Sequence, residues 1–250
     1  MMSKFTTAFA LLAALLLIPS CSATRTAAVS GDIPTYFTID DMPDLVKCLP
    51  APPSPGSAEF AYDSLRYYSA KKLRGDKERM AMANSDAVWS LDTLFAQFFE
   101  PFGMELSPAT TPQIWALLES GISTIELIRI RPKAHFHRVR PFEYFNEHTF
   151  TEWEEDFLRG EGSYPSGHTI RGWGTALLLT EVNPAAADAL YKRAWQYGES
   201  RVLVGAHWQS DVDVSRAAAS IGYAKLQTSS AFRAQVRKAQ AEFKRLQRAR

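Results

Sequence analysis

The chain has 250 residues, 46% of them hydrophobic and 22% charged, and its formal net charge is +1. These proportions are typical of a globular protein and exclude a disordered tail, a collagen-like repeat and a coiled coil. The near-equal numbers of basic and acidic residues argue against a nucleic-acid binder, and two cysteines are too few for a disulfide scaffold.

The N-terminus has the pattern of a secretory signal peptide. Lys4 precedes an unbroken apolar run over residues 8–18, and small residues follow it. This run is shorter than the about 20 residues that a membrane-spanning helix needs, and no later segment is long enough either. We expect residues 1–20 to be a signal peptide cleaved near Cys21 to Ala23, which indicates a periplasmic or secreted protein. The residues before Cys21 also resemble a lipobox, so a lipoprotein anchored through Cys21 is the alternative.

The rest of the chain predicts helices. Residues 24–57 are rich in proline and predict an irregular N-terminal arm that lies on the body of the protein. From residue 58 onwards, apolar residues recur at helical spacing, and no hairpin signal or repeat interrupts them. Thr111-Pro112 and Asn183-Pro184 each predict a helix start, because proline is favoured at the first helical position. The sequence therefore predicts a single all-α domain over residues 58–250.

Two segments have a strong charge bias. Residues 143–161 contain seven acidic residues, and residues 233–250 contain seven basic ones. We interpret both as solvated surface. The alternative for the acidic segment is that it tunes the field near a pocket, and the alternative for the basic one is contact with an anionic surface.

Three short clusters contain the residue types that phosphate chemistry needs. They supply three cations, two histidines, one carboxylate and a glycine-containing turn, which together suit a tetrahedral oxyanion. The clusters are Lys133 with Arg140-Pro141, the segment 162–168 with Pro165-Ser166-Gly167-His168, and Ser200-Arg201 followed by His207 and Asp211.

The turn at Ser166 and Gly167 precedes a predicted helix over residues 169–180. Backbone N–H groups and the dipole at a helix N-terminus favour an anion, and His168 would lie beside it. His207 and Asp211 are four residues apart. On one helical turn, the carboxylate would accept a hydrogen bond from one imidazole nitrogen and leave the other free as a nucleophile.

A metal site is the competing interpretation of the histidines. His135 and His137 could place two imidazoles on one side of an extended segment, but no third ligand is suggested nearby. We therefore expect no metal and no other cofactor, and we interpret these two residues and His148 as structural or as pocket lining.

The combined pattern resembles the signature of the type-2 phosphatidic acid phosphatase superfamily, which includes the vanadium-dependent haloperoxidases. Within it, the chain is similar to the bacterial class A non-specific acid phosphatases. The segments Gly162-Ser163-Tyr164, 129–132 and 207–213 strengthen this resemblance. It implies the all-helical fold of the acid phosphatases and haloperoxidases, and often a homo-oligomer.

The resemblance implies a secreted enzyme that hydrolyses phosphate monoesters to an alcohol and inorganic phosphate through a phosphohistidine, without a metal. His207 would be the nucleophile, Asp211 would orient it, and His168 would be the general acid and then the base. The phosphate-binding residues would be Lys133, Arg140, Ser166, Gly167 and Arg201.

Three other functions remain open from the sequence. They are a lipid phosphatase, a vanadate-dependent haloperoxidase and a non-catalytic phosphate binder. Tyr164, Trp173 and Trp208 lie near the motifs and are interpreted as core or pocket wall, with stacking on an aromatic leaving group as the alternative.

Overall fold

A computed structural model describes residues 33–249. The predicted signal peptide over residues 1–20, its cleavage site and a lipid anchor at Cys21 lie outside these residues. Within residues 33–249 there are helices and no β-strand, which confirms the predicted all-α fold. None of the helices described here combines the length and the apolar character that crossing a bilayer requires.

Thirteen α-helices are found in residues 33–249, and four short 3₁₀ segments flank them. The 3₁₀ segments are Lys72–Gly75, Glu126–Arg129, Glu152–Glu154 and Pro184–Ala186. The α-helices are α1 Leu45–Cys48, α2 Ala58–Lys71, α3 Lys77–Asp86, α4 Leu91–Ala96, α5 Phe99–Phe102, α6 Pro112–Ile125, α7 Ile130–Phe136, α8 Pro141–Tyr144, α9 Glu155–Arg159, α10 Gly167–Val182, α11 Ala187–Leu203, α12 Gln209–Leu226 and α13 Ser230–Arg248.

The helix starts follow from local chemistry. Ser57 and Ser229 accept hydrogen bonds from backbone amides in the first turns of α2 and α13, as N-cap residues do. Helix α6 begins at Pro112, where the sequence predicts it. The second predicted start differs in detail, because Pro184 begins a 3₁₀ turn and α11 begins at Ala187. The segment predicted to be irregular also contains the short helix α1.

Helix α10 lies at the centre of the molecule. It packs against α6, α11, α12 and α13, and most of its residues are buried, from Gly167 at its start to Val182 at its end. The apolar stripe of α6 closes one side of this core through Ile114, Leu118 and Ile122, which are fully buried. The start of α10 is therefore held rigidly from several directions.

The basic terminal segment includes one buried acid. Glu242 on α13 accepts hydrogen bonds from the backbone amides of Gln113 and Ile114 at 3.0 and 2.9 Å. These amides lie in the first turn of α6, where a carboxylate also interacts favourably with the helix dipole. Glu242 thereby fixes α13 against α6.

Helices α10 and α11 approach each other closely at Gly172. A Cβ atom at this position would lie 2.5 Å from Cδ1 of Tyr197. We expect Gly172→Ala to lower the free energy of unfolding by about 1–3 kcal/mol, because overpacking outweighs the better helix propensity of alanine. Urea denaturation measures the change. Gly75→Ala is the control, since a Cβ there meets nothing within 4 Å. A Gly172→Ala protein as stable as the control would contradict this packing.

Candidate active site

The sequence-predicted site residues converge at the start of α10. They come from four helices and from residues just before helices, and all of them are buried. Lys133 lies on α7, Arg140 is the residue before α8, and Arg201 is near the end of α11. The remaining five are Ser166, Gly167 and His168 at the start of α10, His207 in the connection to α12, and Asp211 in the first turn of α12.

His207 and Asp211 do not share a helical turn, contrary to the sequence-based expectation. Helix α12 begins at Gln209, so His207 precedes it. Asp211 lies in the first turn, and its Oδ2 accepts a hydrogen bond from the amide of Trp208 at 2.9 Å. The same oxygen lies 3.4 Å from Nδ1 of His207. A capped helix start, rather than a helix face, therefore brings the two residues together.

The hydrogen bonds of His207 define its tautomer. Nη1 of Arg140 lies 3.1 Å from Nε2 of His207. A guanidinium only donates, so Nε2 is the acceptor and Nδ1 holds the proton that faces Asp211. Burial lowers the pKa of His207 well below its usual range, and Arg140, Lys133 and Arg201 lower it further. His207 is thus a neutral imidazole with a lone pair on Nε2.

Asp211 is held from its other side by a buried ion-pair chain. Nη1 of Arg138 lies 2.5 Å from Oδ1 of Asp211, and Nη2 of Arg138 lies 2.7 Å from Oδ2 of Asp63. Asp63 also accepts from the amide and the hydroxyl of Ser210, at 2.8 and 2.6 Å. The hydroxyl of Ser163 donates to Oδ2 of Asp211. Both carboxylate oxygens of Asp211 are therefore held by hydrogen bonds, which leaves the group little freedom to rotate.

His168 is the opposite tautomer to His207, with its proton on Nε2. Its Nε2 lies 3.0 Å from the carbonyl oxygen of Ala87, which only accepts, so Nε2 holds a proton and Nδ1 is the remaining nitrogen. The edge of the Trp89 ring packs against it, with centroids 4.7 Å apart. Burial lowers the pKa of His168 well below its usual range, and Arg201 and Arg171 add to this effect.

Arg201 forms hydrogen bonds through only one of its three side-chain nitrogens within the described residues. Its Nη2 contacts both carboxylate oxygens of Glu154 at 2.9 Å. Its Nε and Nη1 are buried and have no hydrogen-bond partner within residues 33–249. A buried unpaired donor is costly, so the N–H groups of these two nitrogens would gain from an anion as their partner.

Lys133 and Arg140 line the same region. Nζ of Lys133 donates to the carbonyl oxygen of Gly162 at 2.5 Å and lies 3.4 Å from Glu161. Burial, followed by the nearby Arg140, lowers the pKa of Lys133 to about 7. Arg140 is anchored by the carbonyl oxygens of Leu158 and Ala206 at 2.8 and 3.0 Å, and burial lowers its pKa to about 10.

Most hydrogen-bonding groups of Ser166 are paired within the protein. Its amide donates to Oγ of Ser215 at 2.7 Å, and its own Oγ accepts from the amide and the hydroxyl of Thr169 at 3.3 and 2.9 Å. The proton of the Ser166 hydroxyl and the amide of Gly167 have no acceptor within residues 33–249 and remain available as donors.

Comparison with known proteins places this site in a family. The model of the PAP2 superfamily matches residues 113–232. A non-specific acid phosphatase of Providencia stuartii is 38% identical over 206 residues, which is 82% of this chain and 83% of that protein. The non-specific acid phosphatase of Salmonella typhimurium is 36% identical over 195 residues, 78% of each chain. The acid phosphatase of Zymomonas mobilis is 35% identical over 197 residues, 79% of this chain and 74% of that protein.

The chain belongs to the non-specific acid phosphatases of the PAP2 superfamily. The family assignment made from the motifs is thereby confirmed, and so is the assignment as an acid phosphatase.

In this acid phosphatase the acidic segment 143–161 is not simply solvated surface. Glu154 is buried against Arg201, and Glu161 lies between Lys133 and Arg129. The alternative interpretation, that the segment tunes the field near a pocket, is the one that the structure supports. The acidic excess was the sequence signal for it, but nothing in the sequence showed which carboxylates turn inward.

Sequence reasoning missed several supports of the phosphatase site. Arg138 lies between Lys133 and Arg140 in the sequence but was not singled out, and Asp63 had no signal at all. The side chain of Ser200, part of the predicted third cluster, pairs with residues of α3 and not with the phosphate-binding candidates. Its hydroxyl donates to Asp86 at 2.6 Å and accepts from Arg79 at 2.9 Å, which joins α11 to α3.

The three aromatic residues near the motifs have different positions. Trp208 is buried, and its Nε1 donates to the carbonyl oxygen of Val139 at 2.8 Å. Trp173 packs against Tyr191 and Trp195 on the outer side of α10. Tyr164 is buried beside the N-terminal arm, where its hydroxyl donates to the carbonyl oxygen of Pro50 at 2.5 Å.

The lowered pKa of Lys133 predicts a pH-dependent anion affinity. Sulfate keeps a charge of −2 between about pH 5 and 9, so its binding isolates the titration of the protein. We expect sulfate affinity to fall as the pH rises through about 7, by about tenfold within one pH unit above it, because Lys133 loses its proton. Isothermal titration calorimetry measures the affinity. Lys133→Arg is the control, since its charge persists. An equal fall in both proteins would refute the assignment of this titration to Lys133.

The buried ion pairs that join Asp63, Arg138 and Asp211 predict an effect of substitution on the free energy of unfolding. Arg138→Gln leaves two buried carboxylates without their cation, so we expect the free energy of unfolding to fall by about 3–5 kcal/mol. Arg66→Gln is the matched control, because Arg66 forms a partly exposed ion pair with Glu199, worth below about 1 kcal/mol. Urea denaturation at pH 7 compares the two. Equal losses in the two variants would show that the buried ion pairs stabilise the protein no more than the partly exposed pair does.

Proposed function

We propose that this phosphatase transfers the phosphoryl group of a phosphate monoester first to Nε2 of His207 and then to water. One observation supports this proposal above the others. Nε2 of His207 is an unprotonated acceptor, 3.1 Å from Arg140, and it lies in the same buried cluster as the unpaired donors of Arg201. A nucleophile and the donors for phosphate oxygens are therefore in one place.

Bound phosphate is held by charge-assisted hydrogen bonds. Lys133, Arg140 and Arg201 contact the non-bridging oxygens, and the hydroxyl of Ser166 and the amide of Gly167 add two neutral donors. These groups are already in position, so they stabilise the charge that develops on the equatorial oxygens of the transition state.

The first step forms a phosphohistidine. A phosphate oxygen takes over the hydrogen bond from Arg140, which frees the Nε2 lone pair of His207. This lone pair attacks phosphorus while the bond from phosphorus to the ester oxygen breaks. The Nδ1 proton of His207 faces Asp211, whose carboxylate stabilises the positive charge that forms on the ring. Nδ1 of His168, protonated in the substrate complex, gives its proton to the leaving oxygen, and the alcohol departs.

The second step reverses the proton transfer. Nδ1 of His168 takes a proton from a water molecule, whose oxygen attacks phosphorus. The phosphorus–nitrogen bond breaks, inorganic phosphate leaves, and His207 returns to its neutral form. No metal takes part in this scheme.

The pKa values favour acidic conditions. The pKa of His168 is lowered by burial and then by Arg201 and Arg171, so the ring is neutral. An anionic phosphate between these cations offsets their charge and raises the pKa of His168. Low pH helps this protonation, while Arg140 keeps Nε2 of His207 free of a proton.

The location and assembly of the enzyme are also proposals. The signal-peptide pattern over residues 1–20 supports a periplasmic or secreted enzyme, with a lipid anchor at Cys21 as the alternative. Residues 24–57 as an arm, residues 58–250 as the phosphatase domain, and a homo-oligomer stay predictions from the sequence and the resemblance.

The mechanism is tested with p-nitrophenyl phosphate at acid pH in excess chelator. We expect full activity of the wild type and a loss of at least about a thousandfold in His207→Ala, which removes the nucleophile. His148→Ala is the matched control, because His148 is an exposed histidine beside Glu155.

Trapping distinguishes the intermediate from a simple binding defect. A base quench of the wild type with labelled substrate should yield an acid-labile phosphoenzyme, and His207→Ala should yield none. Turnover that persists in His207→Ala, or a wild type that the chelator silences, would contradict the mechanism.

A further inference from the structure

We propose that Arg129 is a fourth phosphate-binding cation of this enzyme and donates a hydrogen bond to phosphate through Nε. The proposal rests on the proposed phosphate site at the start of α10 and adds to it a residue outside the predicted set.

Arg129 lies directly beside a predicted phosphate-binding residue. It ends the 3₁₀ segment before α7, four residues ahead of Lys133. One carboxylate contacts both cations: Oε1 of Glu161 is 2.7 Å from Nη1 of Arg129, and Oε2 is 3.4 Å from Nζ of Lys133. The two cations therefore point to the same place.

The Nε edge of Arg129 faces the start of α10. A Cβ atom on Gly167 would lie 3.1 Å from Cδ and 3.4 Å from Nε of Arg129. Gly167 is the first residue of this sixteen-residue helix, where free amides and the helix dipole favour an anion. Its missing side chain lets Arg129 approach the backbone closely.

This edge has an unused donor. The Arg129 side chain is 5% exposed, yet Nε has no hydrogen-bond partner among residues 33–249. Native proteins pair almost all buried donors, and an unpaired one calls for a specific explanation. A phosphate oxygen beside Gly167 would supply the missing partner, as it would for the free donors of Arg201.

Trp89 holds Arg129 on the His168 side of the site. Cζ of Arg129 lies 5.3 Å from the Trp89 ring centroid, and the same ring packs edge-on against His168. Arg171 also stacks on Trp89, at 4.1 Å, but its charge partner is Glu126 at 3.3 Å. Arg171 thus supports the tryptophan, whereas Arg129 shares Glu161 with Lys133.

The test measures inorganic phosphate binding in Arg129→Lys by isothermal titration calorimetry and by product inhibition. Lysine keeps the positive charge that pairs with Glu161 but lacks the Nε–H group. We expect phosphate to bind about ten- to a hundredfold more weakly, the range for a lost hydrogen bond to a charged group. The rise in melting temperature that phosphate gives should shrink accordingly.

Arg131→Lys is the matched control. Arg131 is two residues away but pairs with Asp40 at the surface, so phosphate binding should change less than about twofold. If Arg129 has a structural role alone, Arg129→Lys will lower the melting temperature of the free enzyme and leave phosphate affinity unchanged. That result would overturn the proposal.

A crystal structure of the wild type with inorganic phosphate is the second test, and it does not depend on a variant that folds. Nε of Arg129 should lie within hydrogen-bond distance of a phosphate oxygen. A phosphate bound by Lys133, Arg140 and Arg201 without Arg129 would overturn the inference. Phosphate binding is independent of the trapped phosphoenzyme, so failure of the histidine mechanism and failure of this inference are distinguishable.

Discussion

The burial of several cations in one candidate phosphate site is the constraint on which this structure depends. Lys133, Arg140 and Arg201 are almost completely removed from water, and a buried charge is costly unless it is paired. Glu154 and Glu161 supply part of the opposite charge but leave donors unpaired. Two donor nitrogens of Arg201 thus lack partners within the described residues, and a bound oxyanion would supply them. The proposed phosphate binding and the lowered pKa of Lys133 would both follow from the same desolvation.

Hydrogen-bond direction gives the two histidines of the candidate site opposite tautomers. Arg140 only donates, so it keeps Nε2 of His207 unprotonated, whereas the carbonyl oxygen of Ala87 only accepts, so it keeps Nε2 of His168 protonated. Both rings have a lowered pKa, so in the proposed mechanism only their hydrogen-bond partners distinguish the nucleophile from the proton carrier. The buried ion pair between Asp211 and Arg138 fixes the position of Asp211, which in turn keeps the proton of His207 on Nδ1.

The helical scaffold serves this chemistry by positioning the start of α10. Gly167 opens the helix at the site, and Gly172 on the same helix allows α11 to pack closely. Because α11 contains Arg201 near its end, this packing places a cation beside the helix start. A shift of α10 would therefore displace the proposed phosphate-binding residues and also disturb the core.

The sequence by itself determined the helical class, the start of α6, and the identity of the motif residues, since these depend on local periodicity, proline and short spacings. It placed His207 and Asp211 on one helical turn, which was wrong because a capped helix start brings them together. Only the tertiary structure decided which acids compensate the cations. Glu154 meets Arg201 across 47 residues, and Asp63 meets Arg138 across 75. No local pattern encodes such pairs, because burial and ion pairing depend on how distant helices pack.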